Sequence, residues 1–214
     1  MFGFGVTLLW VAALTGIAAP VLALFRLVPL SYNEGWNAFW ADAAVSNGEL
    51  YGPAASLVSN NYAPLSFDLV GFIGRIVGDN IIAGRLVSLL SLLVVVAALY
   101  LLLRAAGVAR HIALAGAAFC LATFAWFGTN YVAMNDPQML AHAFMLAGAV
   151  VLWRGNFSVF AVIVAAALMM LGGFTKHLLI PLPGAASARS HLRGAPGVQR
   201  GRGGHAHRRH RPAR

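Results

Sequence analysis

The sequence predicts an all-α membrane protein, a polytopic helical bundle with two interfacial amphipathic helices in its first extracytoplasmic loop. Three observations lead there. Hydrophobic residues fill 60% of the 214 positions and charged residues only 10%, with a mean hydropathy of +0.76, whereas a soluble domain carries about 25% charge. Five apolar stretches, 4–25, 81–103, 112–127, 139–153 and 157–174, approach the roughly 20 residues that cross a bilayer. Between the first two, "SYNEGWNAFW" at residues 31–40 sets an acid, two amides and four aromatics into a chain otherwise suited to lipid.

The first stretch reads as an anchor. The small residues of "APVLA" would suit a cleavage site, but the start lacks a positive segment and the apolar run is long for a signal peptide. The next fifty or so residues hold two helices of their own. One runs from Ser31 to about Val45 with Trp36, Phe39, Trp40 and Ala43 at helical spacing, and stops at Asn47-Gly48. The other starts at Pro64, places Leu65, Leu69, Phe72, Ile73 and Ile76 on one stripe, and ends before Gly78. Their aromatic and apolar stripes suit headgroup depth. The third and fourth apolar stretches, 112–127 and 139–153, are short, which suits buried or tilted helices.

Threading five spans sets residues 27–80 and 128–138 on one side and 104–111 and 154–156 on the other. All six acids, Glu34, Asp42, Glu49, Asp68, Asp79 and Asp136, fall on the first side. The second carries Arg104, Arg110 and Arg154, which makes it cytoplasmic by the positive-inside rule. Arg26 and Arg85 stand near outer helix ends, where a cation either snorkels or marks a ligand site. The lone Cys120 allows no intrachain disulfide.

The charge of +9 belongs to the tail. Residues 184–214 hold eight arginines and no acid, leaving +1 for residues 1–183, the transmembrane region. The composition changes abruptly after "LLIPLP" opens what looks like a sixth span. GC-rich DNA read out of frame gives Arg, Gly, Ala, Pro and His in this way, so a frameshifted tail is expected; a genuine disordered basic tail on anionic lipid or nucleic acid is the alternative.

Glu34 stands where the first span ends, the position a general base for a hydroxyl acceptor would occupy. Ser31-x-x-Glu34 is equally a capping box, in which the carboxylate only bonds the helix start. Asn33 and Asn37 could bind sugar hydroxyls or be solvated amides. Asn61 and Tyr62 precede Pro64, in a polar loop that could line a pocket or simply turn the chain. Asp136 before Pro137 is a preferred helix start, and it faces the compartment of Glu34, so two acids stand near one outer pocket for acid/base or metal work. Lys176, the only lysine, sits at the outer end of the fifth span beside His177. It is placed to meet a lipid phosphate or to snorkel. His142 suits an interior hydrogen bond. There is no phosphate-binding glycine loop, zinc spacing or serine-nucleophile motif, which argues against soluble-cofactor chemistry.

In order, these pieces resemble the GT-C glycosyltransferases, in the branch of protein O-mannosyltransferases and lipid A aminoarabinosyltransferases. That family has an acidic pair after its first membrane helix, here "YNEGWNAFWA". A Pro-Leu motif precedes its second surface helix, as in "NNYAPLSFDLVG", and an Arg opens the next span, as in "AGRLVSLLSLL". An Asp opens the fourth span ("NDPQMLAHAFML") and Thr-Lys ends the fifth ("GGFTKHLLIPLP"). The resemblance covers residues 7–183.

The resemblance implies a polyprenyl-phosphate sugar donor and a lipid, glycan or protein acceptor outside the cytoplasm, in the bacterial inner membrane with the active-site face extracytoplasmic. Glu34 matches the second acid of the pair and would activate the acceptor, with Asp136 as the second catalytic candidate. Lys176 and Arg85 would bind the donor phosphate. Asn33 replaces the first acid. No fixed cofactor is implied, a divalent metal is compatible, and nucleic acid is not a partner. The family continues through further spans, so the chain is expected to be its N-terminal part. A lipid or solute transporter would place polar groups near the midplane, whereas here they gather at outer ends. A non-catalytic membrane subunit is the other alternative.

Overall fold

The structure is a computed structural model that describes residues 2–46, 49–52 and 60–177. The chain divides into two units, Met1–Ile180 and Pro181–Arg214. The second unit, the expected stop at Asn47-Gly48 and the expected sixth span lie outside the described residues.

Among the described residues the fold is all helical: α1 Phe2–Leu22, α2 Tyr32–Ser46, α3 Leu65–Val77, α4 Asn80–Ala105, α5 Arg110–Phe127, α6 Gln138–Arg154 and α7 Val159–Thr175. The boundaries follow local chemistry. Past Pro20, α1 unwinds through tight turns, Leu24 N–H to Val21 O and Arg26 N–H to Ala23 O. Pro64 precedes α3, and Gly78 ends it at φ 92°, a left-handed conformation that glycine adopts without a Cβ clash. The Asp79 carboxylate then caps α4, accepting from the N–H groups of Ile81 and Ile82 at 2.7 and 2.9 Å.

Three helices, Gly3–Leu22, Asn80–Ala105 and Arg110–Phe127, are long and apolar enough to cross a membrane, consistent with an integral membrane protein. The other two expected spans, α6 and α7, are apolar helices of 17 residues, about 25 Å at 1.5 Å per residue.

Neighbours form a row: α1 packs on α5, α5 on α4, α4 on α6 and α6 on α7, while α2 and α3 pack on each other and against α4. Small residues let the helices approach closely. Ala13 of α1 and Ala117 of α5 join Leu92, Val96, Leu121, Val132 and Met139 in the main core, and the Trp126 indole donates to the Ala12 carbonyl at 2.9 Å. At one end of the row the Trp153 indole of α6 reaches the last carbonyl of α4, Ala105 O. At the other end α2, α3 and the 128–137 turn meet, and the expected site residues lie there.

The apolar stripe expected on α3 is only partly covered: Phe72 and Ile76 are exposed and Leu65, Leu69 and Ile73 half-buried, while Ser66, Phe67, Val70, Gly71 and Gly74 form the buried face. Close packing is the reason. A Cβ on Gly71 would overlap the Ala41 carbonyl of α2, so the contact face needs small residues.

Candidate functional site

Glu34, in the first turn of α2, and Arg85, in the second turn of α4, form a fully buried ion pair. Arg85 Nε donates to Glu34 Oε1 and Nη2 to Oε2, both at 2.8 Å, a two-pronged pairing. The same guanidinium gathers the unwound chain after α1: Nη1 donates to Ala23 O at 2.9 Å and Arg26 O at 2.6 Å, and Nη2 to Val28 O at 3.1 Å. Glu34 also accepts Leu30 N–H on Oε2 at 2.7 Å and Asn135 N–H on Oε1 at 3.2 Å. Four donors fill the acceptor capacity of a carboxylate. Sequence spacing left Glu34 as either base or helix cap. The structure gives it a cap-like bond, one residue earlier than a capping box, and no oxygen lone pair toward a substrate. Arg85, expected on a lipid phosphate, is 0% exposed and spends its donors on Glu34 and main-chain carbonyls.

Asn135 joins this pair to the rest. Its amide donates to the Asn80 carbonyl at 3.2 Å, and its own carbonyl accepts Asn37 Nδ2 at 2.6 Å. The turn reaches this depth because Ala133 takes φ 48° and because Gly84 offers no Cβ, where one would overlap the Asn135 side chain. Asn37, Ser66, Gly84, Asn135 and Asp136 line a cavity of about 10 Å³, room for no more than one water. Asn37 Oδ1 and Ser66 Oγ are buried there without a hydrogen bond among the described residues.

Next to Asn135, Asp136 starts α6, its Oδ1 accepting Gln138 N–H at 2.8 Å. Oδ1 also meets Lys176 Nζ at 3.4 Å, in a second ion pair whose side chains are 3% and 8% exposed. Lys176 Nζ stands 5.2 Å from the Tyr62 ring centre and 5.8 Å from that of Tyr131, cation–π distances. Tyr62 is held by its N–H on Asn60 Oδ1 and by Tyr51 Oη on its carbonyl. Burial first, then the negative charge of Asp136, raises the Tyr62 phenol above its ordinary value, so it stays a neutral donor.

The fold thus brings Glu34, Arg85, Asn37, Asp136, Lys176 and Tyr62 to one end of the helix row. Asn33 is half-buried, and Asn61 and His177 are exposed, with no bond to that network among the described residues. His142 pairs with Gln138 at 2.7 Å, the interior hydrogen bond expected of it. Asn135 and Tyr131 escaped the sequence reading. Adjacency to Asp136 in "MNDP" is the one signal for Asn135, and Tyr131 carries none. Among the described residues no three His, Cys, Asp or Glu side chains converge as a metal site.

The arrangement offers a cation held between a carboxylate and two aromatic rings, and beside it an ion pair that fixes the loop after α1. No protein family, curated protein or solved structure matches the chain.

Proposed function

We propose that the chain is a membrane glycosyltransferase, or part of one, that transfers a sugar from a polyprenyl-phosphate-linked donor to a lipid, glycan or protein acceptor outside the cytoplasm. One observation supports it above the others: Asp136, Lys176 and Tyr62, from three distant stretches, share one cluster at the helix ends. In this reading α1 and α4–α7 cross a bacterial inner membrane and α2 and α3 lie at its outer surface, with Phe72 and Ile76 toward lipid.

Lys176 receives the donor phosphate and exchanges its 3.4 Å contact with Asp136 for it. The released carboxylate then accepts the proton of the acceptor hydroxyl as that oxygen bonds to the anomeric carbon. The bond from sugar to phosphate oxygen breaks, and the lipid phosphate leaves with the electron pair, stabilised by Lys176. Glu34 and Arg85 hold the loop rather than touch substrate.

The test is a transfer assay with the full chain in vesicles, a polyprenyl-phosphate sugar and a candidate acceptor, following release of lipid phosphate. Asp136→Asn lowers the rate by about 10²–10⁴ if the carboxylate is the base. A second reading, a non-catalytic membrane subunit, is favoured by the mutual neutralisation of both ion pairs. It predicts neither turnover nor donor binding that is lost in Lys176→Ala.

A further inference from the structure

A second feature lies where the chain leaves α1. Between the end of that helix and the turn after α5 runs an open groove of about 480 Å³, lined among others by Leu22, Arg26, Leu30, Thr129, Asn130 and Met134, within the size range of small-molecule sites. No acid lines it. Arg26 is exposed and takes part in no ion pair among the described residues.

A cation past a helix C-terminus is ordinarily explained by the helix dipole or by snorkelling. Here its main chain is also anchored. The Arg26 carbonyl is held at 2.6 Å by the buried Arg85, so the backbone that carries the exposed guanidinium is tied to the Glu34–Arg85 pair. Thr129 and Asn130, both exposed, add hydroxyl and amide groups to the lining. The remaining wall is apolar, and the groove opens where α1 and α5, two helices with the length and apolarity of membrane spans, both end. An exposed cation on an anchored backbone, neutral polar groups and an apolar trough match an amphiphile with a negative head.

We infer that this groove holds one anionic phospholipid of the surrounding leaflet, its phosphate on Arg26, Thr129 and Asn130 and an acyl chain along Leu22, Leu30 and Met134. A zwitterionic headgroup brings its own ammonium to the site, so the uncompensated Arg26 selects a net negative one. The site shares no residue with the Asp136–Lys176 cluster and does not depend on the transferase reading.

The experiment reconstitutes the full chain in phosphatidylcholine vesicles with trace spin-labelled phosphatidylglycerol or phosphatidylcholine, and reads the motionally restricted fraction. Phosphatidylglycerol is expected to associate about fivefold more strongly, the effect of one surface arginine. The preference should vanish in Arg26→Gln, reverse in Arg26→Glu and persist in Lys176→Ala. Equimolar polyprenyl phosphate should leave the restricted phosphatidylglycerol in place. Equal association of the two lipids, a preference that survives Arg26→Gln, or displacement by polyprenyl phosphate would overturn the inference. The last result would assign the groove to the donor. Loss of donor binding in Lys176→Ala bears on the transferase reading alone, so the two can fail separately.

Discussion

Glu34→Gln preserves the volume of the side chain and removes its charge, leaving Arg85 at 0% exposure without a counter-ion. The new amide nitrogen can only donate, so it opposes either an Arg85 N–H or one of the main-chain N–H groups that Glu34 now accepts, from Leu30 and Asn135. Removing one partner of a buried pair costs about 3–5 kcal/mol, a large share of the roughly 5–15 kcal/mol that holds a domain together. At about 2–4 °C per kcal/mol for a chain of this length, Tm falls by about 6–20 °C. Thermal unfolding in one detergent, followed by circular dichroism, reads this for Glu34→Gln, Arg85→Met and the double variant. The double variant buries no lone charge and should be no less stable than either single one. Wild-type Tm in Glu34→Gln together with a selective loss of turnover would refute the reasoning, because the carboxylate would then be a reacting group rather than a clamp.

Two glycines of helical segments should respond to alanine with opposite signs. Gly84→Ala forces a Cβ into the Asn135 side chain and should destabilise by about 1–3 kcal/mol, whereas Gly173→Ala meets open space and should gain up to about 1 kcal/mol; the same melting assay reads both. The Tyr62 phenol is raised above 10.0 by burial, then by Asp136. Its contribution to stability is therefore complete below that pH and lost as pH rises through the folded value. Burial and Asp68 raise the Tyr51 phenol as well, so absorbance at 295 nm should show two late-titrating tyrosines, of which one disappears in Tyr62→Phe, and the variant should lose less stability at alkaline pH than the native chain.

The helices were legible because their signals are local. Pro64 and Gly78 bracket α3, and Asp136-Pro137 marks the start of α6. The pairing of side chains was not local. Asn135 meets Glu34 across 101 residues and Arg85 meets it across 51, and no periodicity encodes such distances. Arg85 is the instructive case: in an apolar run near a helix end an arginine reads as snorkelling or phosphate-binding, yet the unwound end of α1 supplies enough carbonyls to bury it. Helices apolar all round also hide which face is inside. On α3 the buried side combines Phe67 and Val70 with the small Ser66, Gly71 and Gly74, while Phe72 and Ile76 of the expected stripe stay exposed, because the approach of Gly71 to the Ala41 carbonyl of α2 leaves no room for a side chain there. The cluster around Lys176 was half legible. Its acid and Tyr62 stood out as polar residues in the right order, while Tyr131 lay in a stretch with no recognisable pattern.

The most direct test of the proposed transferase is equilibrium binding of polyprenyl phosphate to the native chain and to Lys176→Met in the same micelle, with the Tm of each recorded. Saturable binding that weakens by roughly tenfold to a hundredfold in a folded Lys176→Met variant is the predicted result, the worth of a charge-assisted contact of about 1.5–3 kcal/mol. Equal affinity of the two folded proteins, or no saturable binding by the native chain, would contradict it.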